Sequence, residues 1–166
     1  MLLVDGVHTP ERTARFTDIV RQRFEFRHVP AKPTPYAGRH RRTSRDFFSA
    51  ASARNTGVVH ATSPYLVFAD DLSVPMPGWW AEVQAAAKAG AVVAGAYQKH
   101  HEMVVENGTL VSSRAEPAGR DSRWAQGSDT GWVSISGSQL FGSSVAAPRD
   151  LLLEVNGFDE LCDSIG

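Results

Sequence analysis

The sequence has a single cysteine, Cys162, and no long apolar run. One cysteine excludes an intramolecular disulfide framework and a zinc cluster built from cysteines. The apolar runs fall far short of the roughly 20 residues that a membrane helix needs, so we expect no transmembrane segment. A reducing, cytoplasmic location is the simplest interpretation. The chain has an ordinary globular composition, 42% apolar and 21% charged over 166 residues, which predicts one domain with a buried core.

The net charge of −1 hides an asymmetry along the chain. Residues 1–62 carry ten Arg and one Lys against five acids, for +6, and the remainder carries six bases against 13 acids, for −7. The densest basic cluster consists of Arg39, Arg41, Arg42 and Arg45. Such a stretch can meet the phosphate groups of a nucleotide or a nucleic acid, or it can be a solvated loop. No aromatic interleaving or helical arginine stripe accompanies it, so we expect no nucleic acid partner.

Short apolar runs alternate with amphipathic segments in the first part of the chain. The pattern predicts strands at residues 2–4, 26–29, 65–69 and 91–97, and helices at residues 10–24, 44–61 and 77–90. Thr9 and Pro10 are typical of a helix start. In the second helix we expect Ser44 as the cap and, as inward positions, Phe47, Phe48, Ala51 and Val58. The alternation of strands and helices is typical of a parallel α/β sheet.

The pattern changes after residue 98. Asn107 and Gly108, between two short apolar runs, predict a β-hairpin. We expect a long functional loop over residues 113–138 and a strand near residues 140–146. A short helix is predicted from Pro148 to near Asn156, with Gly157 in a left-handed conformation after it.

Two adjacent carboxylates, Asp70 and Asp71, follow the most apolar predicted strand. Ligands gather beyond the carboxyl ends of parallel strands, and oxygen ligands suit magnesium or manganese. Such a cation would neutralise a diphosphate leaving group. The alternative is a turn or a helix cap, because Asp is common after strands.

Several motifs occur in an order that resembles family 2 glycosyltransferases. The residues that carry this resemblance are Asp5, the segment 49–57 with Ala53-Arg54-Asn55-Thr56-Gly57, the strand and acids at 65–71, Pro75-Met76-Pro77-Gly78-Trp79, Gly142-Ser143-Ser144, Pro148-Arg149, and Val155-Asn156-Gly157-Phe158-Asp159-Glu160. Together they span most of residues 2–160.

The resemblance implies a GT-A fold, an α/β architecture with a mostly parallel sheet, flanking helices and a small antiparallel hairpin region. It implies one incomplete domain over residues 1–166, with a nucleotide-sugar-binding part at 1–98 and an acceptor-side part at 99–166. The family normally has a further strand and helix before this first strand, so the chain is expected to be clipped at both ends. The unpaired sheet edge would then favour a homo-oligomer.

On the donor side, the resemblance implies that Asp5 binds the nucleobase and that Arg54 and Asn55 line the nucleotide pocket. Asp70 would face the ribose or the metal, and Asp71 would ligate the metal, Mn²⁺ or Mg²⁺. Leu72 follows Asp71, so the common Asp-x-Asp pattern is not met from Asp70.

Trp124 and Trp132, in the predicted loop rich in Gly and Ser, are candidates for stacking on a sugar, and Trp132 is assigned to the acceptor side. Asp159 and Glu160 either cap a loop or bind acceptor hydroxyls. The resemblance implies that the general base is expected beyond Gly166. Within the chain, Asp159 and Glu160 are the catalytic candidates, and Asp163 is the one further acid of this segment. The implied function is transfer of a sugar from a nucleoside-diphosphate sugar to a saccharide or other hydroxyl acceptor. The alternative is a non-catalytic remnant of this fold that acts as a binding or interaction module.

Overall fold

The computed structural model describes residues 1–20, 24–107, 109–126, 131–140 and 144–164. Its helices are α1 (Pro10–Val20), α2 (Ala50–His60), α3 (Trp79–Ala89) and α4 (Arg149–Glu154). Its strands are β1 (Leu2–Asp5), β2 (Arg27–Pro30), β3 (Tyr65–Ala69), β4 (Val93–Ala94), β5 (Gln98–Glu106), β6 (Thr109–Arg120) and β7 (Ser144–Pro148). Short 3-10 helices cover Gly38–His40, Ser122–Gln126, Gly137–Gln139 and Glu160–Ser164. The residues form two units, residues 1–66 with 149–166, and residues 67–148.

The first unit contains a pair of parallel strands. β1 pairs with β2, with Leu3 opposite His28 and Val4 opposite Val29. α2 packs against β1, against α4 and against the last 3-10 helix. It can approach closely because its buried positions, Ala51, Ser52, Thr56 and Val58, are small. The inward positions predicted for Ala51 and Val58 are therefore confirmed.

α1 begins as its sequence predicts. Thr9 Oγ1 accepts the backbone N–H of Arg12 at 3.2 Å, which is the bond expected of an N-cap, and Pro10 occupies the first helical position. The described helix ends at Val20, and residues 21–23 of the predicted helix lie outside the described residues.

The start of α2 was predicted wrongly. The helix begins at Ala50 rather than near Ser44, and Phe48 is 79% exposed instead of buried. The residues before it belong to a folded loop, in which the Phe47 N–H donates to the Tyr36 carbonyl at 2.9 Å. A helix continuing back through Phe47 would break that bond.

A three-stranded sheet has the strand order β3-β7-β4. β4 runs antiparallel to β7, with Val93 opposite Ala146. α3 packs against β7, where Ala86 of the helix and Ala147 of the strand are almost completely buried. Gly90 ends α3 with a left-handed φ of 62°, as its position in the sequence predicts.

The predicted hairpin is present and longer than expected. β5 and β6 pair antiparallel along their length, with Glu106 opposite Thr109. Asn107 has a positive φ of 51°, while Gly108 lies outside the described residues. Because β6 continues to Arg120, the first part of the predicted loop at 113–138 is a strand.

The predicted α/β architecture is confirmed, but the expected mostly parallel sheet is not. In the described part of the chain the strands form three small sheets, and both β4–β7 and β5–β6 are antiparallel. A run of apolar residues indicates that a strand is buried, but it does not indicate the direction of the neighbouring strand. The strand predicted at residues 91–97 is also shorter than expected and covers only Val93–Ala94. Within the described residues, no helix has the length and apolar character needed to cross a bilayer.

Candidate functional site

Asn55 fastens the segment 156–160 to α2 in the first unit. Its Nδ2 donates to the Phe158 carbonyl at 2.9 Å and to Glu160 Oε1 at 2.7 Å. Its Oδ1 accepts the Phe158 N–H at 2.8 Å. Two motifs that are about 100 positions apart, one predicted on the donor side and one on the acceptor side, are therefore joined by one amide side chain.

Gly157 makes this close approach possible. Its φ of 76° is left-handed, and a Cβ at this position would lie 2.3 Å from Asn55 Oδ1. Both facts favour glycine, because a side chain here would be strained and would push Asn55 away. The left-handed conformation predicted for Gly157 is confirmed, and Asn156 before it also has a positive φ, 63°.

Glu160 is held by two donors. Besides Asn55, its Oε2 accepts Lys32 Nζ at 2.6 Å. Burial by itself raises the pKa of Glu160, but the hydrogen bonds from Lys32 and Asn55 and the charge of Lys32 outweigh it, so the pKa lies below its ordinary value. Glu160 is therefore a stable anion at neutral pH and a weak proton acceptor.

The neighbouring motif residues are also engaged. Asp159 is exposed, and its Oδ1 accepts the Leu161 N–H at 2.9 Å at the start of the last 3-10 helix. The Arg54 guanidinium lies 5.6 Å from the centre of the Phe158 ring. This geometry is that of a cation–π contact. Arg54 and Asn55 thus both contact the segment 156–160.

An open groove of about 630 Å³ lies beside these contacts in the first unit. Its polar end carries Lys32, Asn55 and Glu160, and its apolar wall comes from α2 and α4. The remaining lining residues are Val58, Val59, Leu152, Leu153, Val155, Asn156, Gly157, Phe158 and Asp159. The volume is in the range of small-molecule sites, so the groove can accommodate a ligand of the size of a sugar.

Asp163 caps α2, and the sequence, in which it is only a further acid near Glu160, did not predict this role. Its two carboxylate oxygens accept the Ala51 N–H at 2.8 Å and the Ser52 N–H at 2.9 Å, two amides in the first turn of α2. Ser49 occupies the N-cap position, but its side chain makes no capping bond to an amide of α2. A cap supplied from more than 100 positions away has no local sequence signal, since the usual cap is the residue next to the helix.

Asp5 is buried at the end of β1 and paired. Its Oδ2 accepts Arg12 Nε at 2.7 Å and His28 Nε2 at 3.1 Å, and its Oδ1 accepts the Val7 N–H at 2.9 Å. Burial by itself raises the pKa of Asp5. The hydrogen bonds from Arg12, Val7 and His28, together with the charge of Arg12, outweigh burial, so the pKa lies below its ordinary value. Asp5 does not line the groove described above.

Asp70 and Asp71 lie in the second unit, directly after β3. Asp70 is half-buried and its carbonyl accepts the Ser73 N–H at 3.1 Å in a tight turn, while Asp71 is exposed. Across the described ranges, no group of three or more His, Cys, Asp or Glu side chains could hold a metal ion. Two carboxylates nevertheless fit magnesium as a partial site, because this ion usually binds one or two carboxylates together with substrate phosphates.

Trp132 lies in the second unit and remains half exposed. Its Nε1 donates to Glu82 Oε2 of α3 at 2.6 Å. By contrast, Trp124 donates Nε1 to the Tyr97 carbonyl at 3.0 Å, and the Arg120 guanidinium lies 4.8 Å from its ring centre. Trp132 thus keeps more accessible ring surface for a ligand than Trp124 does.

A buried ion pair in the second unit was also not predicted. Arg123 is bound to Asp121 through Nε, at 3.1 Å to Oδ1 and 2.9 Å to Oδ2, and through Nη2. The same guanidinium donates to the carbonyls of Gln139 at 3.1 Å and Gly95 at 3.0 Å. The pair therefore fastens the 3-10 helix after β6 to two other segments of the unit.

Comparison with known proteins gives one family. The family described as "Glycosyl transferase family 2" matches residues 16–141. No curated protein and no solved structure matches the chain. The matched range includes α2, β3 and Asp70-Asp71.

Proposed function

The chain belongs to glycosyl transferase family 2, since that family matches well over half of its length, and we propose that it transfers a sugar from a nucleoside-diphosphate sugar to an acceptor hydroxyl. The observation that carries this proposal is the pair of carboxylates, Asp70 and Asp71, at the end of β3 in a chain of this family. They offer oxygen ligands at the place where a diphosphate needs charge neutralisation.

The proposed metal is Mn²⁺ or Mg²⁺, held by Asp71 with Asp70 beside it. When bound, the cation stabilises the negative charge of the departing nucleoside diphosphate. The exposure of Asp71 supports this role, because its carboxylate is accessible to a ligand without a change in the fold. Asp70, half-buried in the turn, would orient Asp71 or bind the ribose.

On the donor side, we propose that Asp5 accepts a hydrogen bond from the nucleobase. The bonds from Arg12 and His28 keep its carboxylate ionised and oriented, and its Oδ1 can accept a second donor beside the Val7 N–H. Asn55 has a different role. Both Nδ2 protons are already donated, so it supports the site by holding the segment 156–160.

On the acceptor side, Trp132 is proposed to stack on a sugar ring, and Asp159 and Glu160 to accept hydrogen bonds from hydroxyls. The exposed face of Asp159 and the groove beside Glu160 support this role. Glu160 orients a hydroxyl better than it deprotonates one, because its pKa is lowered by Lys32 and Asn55.

That low basicity favours a second candidate function, a non-catalytic module that binds a nucleotide-sugar or an acceptor without transfer. Asp159 caps a 3-10 helix and Glu160 forms an ion pair with Lys32, so both base candidates already have structural partners. For Glu160, whose pKa is lowered by Lys32 and Asn55, taking up a proton also costs stability.

A transfer assay with a panel of uridine and guanosine diphosphate sugars tests the proposal. We expect sugar transfer that requires Mn²⁺ or Mg²⁺ and that falls by at least about a hundredfold in Asp71→Asn, since loss of one stabilising group has effects of that order. Asp150→Asn, the same change at an exposed acid of α4, is the control and should keep full activity. Saturable donor binding without transfer would favour the binding module, and absence of donor binding would contradict both functions.

A further inference from the structure

Residues 33–47, before α2, form a loop that is held by backbone hydrogen bonds within it. The Arg42 N–H donates to the Pro35 carbonyl at 2.7 Å, and the Phe47 N–H donates to the Tyr36 carbonyl at 2.9 Å. Pro35 also restricts the backbone, because its ring fixes φ. The loop therefore presents its side chains from an ordered frame, which lowers the entropic cost of binding a ligand.

Three of the four arginines in this loop have partners within it, and Arg41 and Arg45 are two of these. Arg41 Nη1 donates to Asp46 Oδ2 at 3.0 Å, while Asp46 Oδ1 accepts the Gly38 N–H at 2.8 Å. The Arg45 guanidinium lies 5.0 Å from the centre of the Phe47 ring. Asp46 is the only acid in residues 33–47, so four arginines and one aspartate leave a formal charge of +3.

Arg42 and His40 line a shallow, open pocket of about 340 Å³ together with Pro33, Thr34 and Pro35. Arg42 is exposed, and among the described residues no hydrogen bond or ion pair engages its guanidinium. Arg39 Nε donates to His40 Nε2 at 3.0 Å, which places a further guanidinium next to the pocket wall. The pocket is thus lined by the Arg42 guanidinium and by two prolines, and the Arg39 guanidinium lies next to it.

We propose that this pocket binds a phosphate-bearing group. A guanidinium presents planar, paired donors that match phosphate oxygens, and the excess positive charge of the loop attracts an anion. The site needs neither Asp70, Asp71 nor a metal ion, so it goes beyond the proposed donor chemistry and stands without it. Its ligand is either a small phosphorylated molecule or the phosphate of a lipid headgroup.

Calorimetric titration of the full chain with inorganic pyrophosphate, in the presence of a chelator, tests the site. We expect saturable binding that weakens by about tenfold or more in Arg42→Gln, because a charged hydrogen-bond pair is lost. Arg45→Gln removes the same charge from the same loop outside the pocket and should change the affinity by less than about twofold. Equal weakening by both variants, or no saturable binding, would show a solvated basic loop and overturn the proposal.

Sedimentation with vesicles then assigns the source of the phosphate. Vesicles of phosphatidylcholine with phosphatidic acid are compared with vesicles of phosphatidylcholine alone, using the native chain, Arg42→Gln and Arg45→Gln. Co-sedimentation with the acidic vesicles that Arg42→Gln abolishes and Arg45→Gln retains assigns the site to a lipid headgroup. Saturable pyrophosphate binding without co-sedimentation assigns it to a small phosphorylated molecule. Co-sedimentation reduced equally by both variants would contradict a specific pocket.

Discussion

Replacement of Asn55 by Asp should destabilise the first unit strongly, and for an identifiable reason. The carboxylate keeps an acceptor for the Phe158 N–H but loses both Nδ2 donors, to the Phe158 carbonyl and to Glu160 Oε1. It also places a negative charge at hydrogen-bond distance from Glu160. A hydrogen bond contributes about 1 kcal/mol and one to a charged group about 1.5–3 kcal/mol, so we expect a loss of about 2–4 kcal/mol in the free energy of unfolding.

Urea unfolding followed by circular dichroism measures this loss, and a second substitution tests its cause. Adding Glu160→Gln to Asn55→Asp removes the repulsion and supplies a new amide donor, so the double variant should recover at least half of the lost stability. Glu160→Gln alone should cost little, because its pair with Lys32 is partly exposed. A loss below about 0.5 kcal/mol in Asn55→Asp, or no recovery in the double variant, would refute the role of Asn55 as a clamp.

Further predictions concern the backbone at Gly157, the cap of α2 and the dependence of stability on pH. Gly157→Ala should cost about 1–3 kcal/mol in urea unfolding, since the left-handed φ and the contact with Asn55 both disfavour a Cβ. Asp163→Ala should cost about 1–2 kcal/mol by removing the cap of α2, and Asp163→Asn, which retains one acceptor, should cost less. Asp5, Asp121 and Glu160 have pKa values below their ordinary 3.8, 3.8 and 4.5. They therefore contribute stability above those values that is lost as the pH falls through the lower folded-state pKa values, so melting temperature against pH should drop in acid.

Features with a local signal could be predicted from the sequence. The Thr9 cap of α1, the strand at β3, the hairpin around Asn107 and the left-handed Gly157 all depend on residues within a few positions of one another. Such signals act through backbone geometry and side-chain hydrogen bonds to nearby amides, which a sequence window contains.

Features set by distant residues could not be predicted. The start of α2 depends on Asp163, which lies more than 100 positions away, and the clamp at Asn55 depends on the segment 156–160. The direction of β4 also depends on its distant partner, β7, because a buried apolar run has the same composition in parallel and antiparallel pairings.

The sequence named three residues of the candidate site but not their arrangement. Motifs indicated Asn55 on the donor side and Asp159 and Glu160 on the acceptor side, and it was not predicted that all three would line one groove in the first unit. Their partners were not identified: Lys32 is the cation that keeps Glu160 ionised, and no motif pointed to it. The roles of Asp5, Arg54, Asp70, Asp71 and Trp132 in donor, metal and acceptor binding remain predictions.

The most direct test of the central claim is a titration of Mn²⁺ followed by electron paramagnetic resonance, with and without uridine or guanosine diphosphate. Two carboxylates form only part of a coordination shell, so we expect weak Mn²⁺ binding by the chain alone and at least tenfold tighter binding when the diphosphate is present. Asp71→Asn should abolish the tighter binding, while Asp150→Asn should retain it. Mn²⁺ binding that is unaffected by the diphosphate, or that Asp71→Asn leaves unchanged, would contradict metal-assisted donor binding at Asp70-Asp71.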